Sequence, residues 1–259
     1  MAVTSAPGVG ERPGEHPDQR IVLHPTEKRV RVRFGGETVA DSTRTVLLLE
    51  PGHTPVYYFP KEDVRLELLR RSDHRTRCPH KGEASYWSVA VGDKVAEDAV
   101  WAYEDPKDEV SPIAGHVAFY WDRMDQWLEE DEEIFVHARD PHVRIDIRGS
   151  SRPVRVELDG NVLAETVRAR ALFETGQPAR WYIPPEDVHT ELLVSSDDTH
   201  TACPYKGTAR HLSARIGDRE VKDVAWTYAM PTPEARRVAD YICFYPEKVT
   251  LTVGKTGAE

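Results

Sequence analysis

The stretch Val30-Arg31-Val32-Arg33-Phe34-Gly35-Gly36 returns further along the chain as Val154-Arg155-Val156-Glu157-Leu158-Asp159-Gly160. Apolar and charged residues alternate with period two in both, the pattern of a half-buried strand. Gly35-Gly36 and Asp159-Gly160 follow, dipeptides suited to a tight hairpin turn with positive φ. Working outward, Ala40-Asp41 matches Ala164-Glu165, Glu50-Pro51-Gly52 matches Glu174-Thr175-Gly176, and Tyr58-Phe59-Pro60-Lys61-Glu62-Asp63-Val64 matches Tyr182-Ile183-Pro184-Pro185-Glu186-Asp187-Val188. Cys78-Pro79-His80-Lys81-Gly82 returns as Cys203-Pro204-Tyr205-Lys206-Gly207, Trp101-Ala102-Tyr103 as Trp226-Thr227-Tyr228, and Phe119-Tyr120 as Phe244-Tyr245. Even Arg20-Ile21-Val22-Leu23 finds a counterpart in Arg144-Ile145-Asp146-Ile147. The register slips by one residue over the whole length, which chance matching would not sustain.

The chain therefore reads as two copies of one domain: 1–19 a mobile N-terminal tail, 20–133 the first copy, 134–142 a linker and 143–259 the second copy. Gly92-Asp93 and Gly217-Asp218 predict a further hairpin in each copy, between Glu83–Val91 and a strand running through Val100–Tyr103 in the first. After Pro60, Glu62-Asp63 precedes Val64, Leu68 and Leu69 at helical spacing, with carboxylates suited to a first turn; this predicts one short helix per copy. The run Glu129-Glu130-Asp131-Glu132-Glu133 reads as a solvated exit from the first copy. The expected class is mainly β, antiparallel, in two tandem units.

Composition narrows the function. At 259 residues, with 39% hydrophobic and 30% charged, the chain has material for folded cores without staples. A net charge of −10 gives no basic field for a phosphate backbone, so nucleic acid is not an expected partner. The N-terminal stretch has no apolar core segment, so neither a signal peptide nor a membrane association is expected. Three cysteines, Cys78, Cys203 and Cys243, form no close pair, which suits a reducing cytoplasmic setting.

Two features carry possible chemistry. In Cys-Pro-x-Lys-Gly, Lys81 or Lys206 stands near a thiol, Cys78 or Cys203, where a cation would favour the thiolate and an anion could be held. The same segment also reads as a strand-to-strand turn with a small buried cysteine. The aromatic set is the second: Tyr58, Tyr86, Trp101 and Tyr103 in the first copy, Tyr182, Trp226 and Tyr228 with His211 opposite Tyr86 in the second. Alternate strand residues share a face, so Trp101 with Tyr103, and Trp226 with Tyr228, could wall a pocket or form a core layer. No paired Cys or His ligands support a structural zinc, and no cofactor is expected. There is no phosphate loop and no Gly-x-Ser-x-Gly elbow; Gly149-Ser150 with Glu157 and Asp159 is spaced too short for a nucleotide transferase.

Taken together, Cys-Pro-x-Lys-Gly with Ser-Asp before it, Ala-Trp-x-Tyr and the terminal Phe-Tyr resemble the bacterial family catalogued as domain of unknown function 427, which carries a provisional nucleotidyltransferase-type name. The resemblance implies a compact antiparallel β-tent, two sheets pinned along one edge, with Lys81, Trp101 and Tyr103, and Lys206, Trp226 and Tyr228, near the pocket. Arg210-His211 in place of Ser85-Tyr86 implies that the two sites differ. Three readings follow: a small-ligand-binding tandem domain, the first choice; an enzyme, either a nucleotidyltransferase-like transferase or a thiol-dependent catalyst; or an interaction scaffold whose two halves pack as a pseudo-dimer.

Overall fold

The computed structural model describes residues 4–5 and 21–254, the side chains of 4, 5, 197 and 198 excepted. Strand β1 is Thr4–Ser5; the remainder of the expected tail lies outside the described residues. The first copy contains β2 Val22–Pro25, β3 Val30–Phe34, β4 Glu37–Ser42, β5 Val46–Leu49, β6 Val56–Pro60, β7 Leu69–Cys78, β8 Gly82–Val91, β9 Lys94–Tyr103, β10 His116–Phe119, β11 Gln126–Glu129 and β12 Glu132–Ile134. The second contains β13 Ile145–Gly149, β14 Val154–Leu158, β15 Asn161–Thr166, β16 Arg170–Glu174, β17 Arg180–Ile183, β18 Leu193–Cys203, β19 Gly207–Ile216, β20 Arg219–Thr227, β21 Ile242–Phe244 and β22 Thr250–Val253. The chain divides into two compact units at Asp140/Pro141, and each is described by itself.

Each unit holds two sheets whose matching strands follow the same order, β12 of the first copy having no counterpart strand among the described residues. The larger runs β2-β5-β6-β10-β9-β8-β7 in the first copy and β13-β16-β17-β21-β20-β19-β18 in the second, where β1 adds a parallel edge to β18. The smaller runs β12-β11-β3-β4 and β22-β14-β15. All other strand pairs among the described residues are antiparallel. The sheets join at one edge, where β4 and β15 form the bridges Ala40–Val64 and Ala164–Val188; Arg65 N–H donates to Val39 O and His189 N–H to Leu163 O, both at 2.8 Å.

Alternation along the strands sends side chains into two layers. Val30, Val32 and Phe34 of the small sheet meet Phe59, Val117 and Phe119 of the large sheet in the first copy's main core. Their neighbours Tyr58 and Ala118 point to the opposite face, where Tyr86, Tyr103 and Leu48 lie under Val110 and Ile113 of the 3-10 segment Asp108–Ile113. The second copy repeats this division, with Ala235 and Val238 of Pro233–Val238 as the cover.

The hairpin turns form as the sequence predicts, with φ of +59° and +85° at Gly35 and Gly36 and +50° and +80° at Asp159 and Gly160. The helix expected after Pro60 takes another form. It is two single 3-10 turns, Lys61–Asp63 and Leu66–Leu68, with Val64 extended at φ −121°, ψ 136° because its backbone bridges to Ala40; Pro185–Asp187 and Thr190–Leu192 repeat the arrangement. The acidic run is solvated at Glu130–Glu133 as expected, but it is the β11–β12 hairpin of the small sheet rather than an exit, and Glu129 is partly buried, accepting from Tyr57 Oη at 2.7 Å and pairing with Lys28 at 2.5 Å. The expected linker begins inside β12, and Ala138 is buried in the first core. No helix among the described residues is long and apolar enough to cross a membrane.

Candidate functional site

Strand register assembles the aromatic candidates of the first copy into a row. Tyr86 of β8 stands opposite Trp101 of β9, Trp101 opposite Ala118 of β10, and Ala118 opposite Tyr58 of β6. The small Ala118 leaves room for the two large rings to meet across it. Trp101 Nε1 donates to Tyr58 Oη at 3.1 Å, with the rings edge to face at 6.3 Å and 85°. That bond satisfies the indole N–H and the phenol that burial would otherwise strand. Tyr86 Oη is hydrogen-bonded with Thr76 Oγ1 at 2.8 Å, and the His74 ring lies 4.4 Å from the Tyr86 ring. Tyr120, 39% exposed, leans on Trp101 at 4.5 Å and 43°, forming a corner between an indole and a phenol that solvent reaches. Desolvation raises the Tyr58 and Tyr103 hydroxyls, and burial with the neighbouring Tyr86 pushes Tyr120 up to about 12, so these groups act as neutral donors.

In the second copy the row reads His211, Trp226, Cys243, Tyr182. Trp226 Nε1 donates to Tyr182 Oη at 3.2 Å, and Tyr245 lies 4.3 Å from Trp226. His211 takes over the Tyr86 contact: its Nε2 is hydrogen-bonded with Thr201 Oγ1 at 2.9 Å, the counterpart of Thr76. Its Nδ1 is buried without a protein partner, and desolvation lowers its pKa, so the ring is neutral at pH 7. This row is more closed, since Trp226 is only 7% exposed. Tyr182 and Tyr228 are raised by desolvation, and Tyr245 is pushed up to about 12 by burial.

The lysines of the repeated turn enter the same face. Lys81 donates to Glu50 Oε2 with side-chain exposures of 10% and 13%, and Lys206 donates to Glu174 Oε2 at 2.5 Å with exposures of 14% and 13%. Lys81 Nζ also lies 6.0 Å from the Tyr103 ring. Sequence reasoning missed Glu50 and Glu174 as site residues and left out Tyr120 and Tyr245. The signal was present, because Glu-x-Gly and the terminal Phe-Tyr hold the same register in both copies.

Cys78 and Cys203 close their hairpins opposite Gly82 and Gly207. Cys78 is half-buried against the aromatic layer. The hydrogen bonds of the lysine heads go to carboxylates. Cys243 is wholly buried and desolvation pushes its thiol up to about 12. Among the described residues no three His, Cys, Asp or Glu side chains gather as a metal site requires.

Each copy therefore offers a sheet face with an aromatic corner, neutral phenolic donors and a shielded Lys–Glu pair. Such a face can stack a flat ligand and orient its polar edge. Compared with protein families, the chain matches the model described as a domain of unknown function, DUF427, over residues 22–130 and again over 146–255. No curated protein matches it.

Proposed function

The chain belongs to the DUF427 family in tandem form, and from that premise we propose that it is a small-ligand-binding protein with a site on the aromatic sheet face of each copy. The ligand is flat, stacks at the Trp101–Tyr120 corner, and offers polar groups to the phenols. The observation that carries this reading is the Lys–Glu pair set into the aromatic layer of both copies. Removing two charges from water costs several kcal/mol per ion, and their mutual attraction seldom does more than offset it. An apolar pair would fill the same space more cheaply, so retention of the charges at matching positions points to a use beyond stability. Three unpaired cysteines fit a reducing, cytoplasmic setting.

The two sites differ in openness and in the residue beside the tryptophan, Tyr86 against His211, which supports different ligands or affinities. A screen of planar metabolites by ligand-observed NMR against the full chain tests the reading. Binding should appear and should fall in Tyr120→Ala, a change at an exposed ring that leaves the core packed. Failure of every planar compound, or binding unaltered by both Tyr120→Ala and Tyr245→Ala, would overturn it.

A further inference from the structure

On the other side of the first copy's large sheet, at the margin of the main core, lies an open cleft of about 200 Å³. Its floor is the half-buried indole of Trp87 with Leu69 and Val117, and Leu66, 47% exposed, forms one wall. Two cations stand over the indole, the Arg71 guanidinium 5.2 Å and Lys61 Nζ 5.7 Å from the ring centre. Glu104 completes the lining.

The charges are unevenly matched. Both Glu104 oxygens accept from Arg71, at 3.2 and 2.5 Å, and Oε2 also accepts from Ser85 Oγ at 2.8 Å. These bonds hold the carboxyl below its ordinary range, led by Arg71, so it stays ionised at neutral pH. Lys61 Nζ is 3.8 Å from Glu104 Oε1, too far for a hydrogen bond. One carboxylate thus faces two cations, and the less committed cation overhangs the half-buried Trp87 indole beside the exposed Leu66. The second copy carries Pro185, Ser195, Leu212 and Ala229 where Lys61, Arg71, Trp87 and Glu104 stand, so it has neither the cations nor the indole.

We propose that this cleft is a separate binding site, present in the first copy only, for a small organic acid with an aromatic or branched apolar body. Its anionic group pairs with Lys61 and Arg71, and its body lies on Trp87 and Leu66. The volume falls below the roughly 300–1,000 Å³ of ordinary small-molecule pockets, which limits the body to about the size of one ring. The site is independent of the aromatic face described above, and either assignment can fail without the other.

Benzoate is the probe. In the isotopically labelled full chain, benzoate at millimolar concentration should move the Trp87 indole N–H resonance saturably and leave those of Trp181 and Trp226 in place. Benzyl alcohol, which keeps the ring without the charge, and inorganic phosphate, which keeps the charge without the ring, should each bind more weakly. Lys61→Gln should weaken benzoate by about threefold, the scale of one partly exposed ion pair, with the thermal midpoint unchanged. A motionless Trp87 resonance, benzyl alcohol or phosphate binding as well as benzoate, or full affinity in Lys61→Gln would each overturn the assignment.

Discussion

Gly82 and Gly207, the last residues of the repeated turn, sit at φ +106° and +96°. A Cβ there would come within 3.3 Å of Asp105 O and 3.2 Å of Met230 O, so backbone conformation and close approach both require glycine. Gly82→Ala and Gly207→Ala are each expected to cost about 1–3 kcal/mol, the range for a forced backbone outlier, measured by denaturant unfolding. Near-wild-type stability in either would contradict this account of the turn. His211 gives a pH signature. Its folded pKa lies below the ordinary 6.5, with desolvation as the leading cause and Lys248 and His200 adding to it against Asp223. The unfolded imidazole therefore takes up a proton first, and stability falls as pH drops below about 6.5 towards the folded pKa. His211→Tyr, which installs the first copy's residue, should flatten that part of the stability profile; His137, also lowered by burial, is common to both proteins and cancels. An unchanged slope would show that His211 is not the group responsible.

At the level of elements, the acidic hairpin is held by Tyr57, whose hydroxyl donates to Glu129 and is raised by burial and by that carboxylate. Tyr57→Phe should cost about 1.5–3 kcal/mol, the usual worth of a hydrogen bond to a charged group, and unfolding midpoints of the two proteins would measure it. A loss below about 0.5 kcal/mol, the floor for an ordinary hydrogen bond, would mean that the hairpin stands without this bond. The hairpin also marks what was legible in the sequence. Strands with period-two alternation and turns at Gly35-Gly36, Asp159-Gly160 and Gly92 could be read because they are local. The β11–β12 pairing could not, since five consecutive acids read only as a solvated run until folding brings Tyr57 of β6 and Lys28 of the β2–β3 loop to Glu129. The helix after Pro60 failed for the same reason: Val64 bridges to Ala40, and that contact overrides the apolar spacing. Nor did the sequence reveal the matched bulges of β9 and β20, where Asp98 and Asp223 adopt φ +48° and +53° and their N–H groups donate to Ser88 and Ser213 at 3.1 Å.

For the whole molecule, duplication is the organising fact, and it was legible because matching residues keep their register for more than a hundred positions. The strand order of each unit was not, being made of pairings such as β6 with β10 whose partners lie far apart in the chain. The aromatic candidates were found by type and period and do share a face in each copy. The carboxylates that neutralise Lys81 and Lys206 needed coordinates, because only folding brings Glu50, just past β5, and Glu174, at the end of β16, to the turns. The central claim is that the Lys–Glu pairs serve binding at a cost to stability, and equilibrium unfolding of the full chain tests it most directly. Lys81→Met alone should lose about 3–5 kcal/mol by stranding Glu50, while Glu50→Leu combined with Lys81→Met should return to wild-type stability or exceed it. A double variant as unstable as the single one would contradict the claim and make the pair a structural element of the fold.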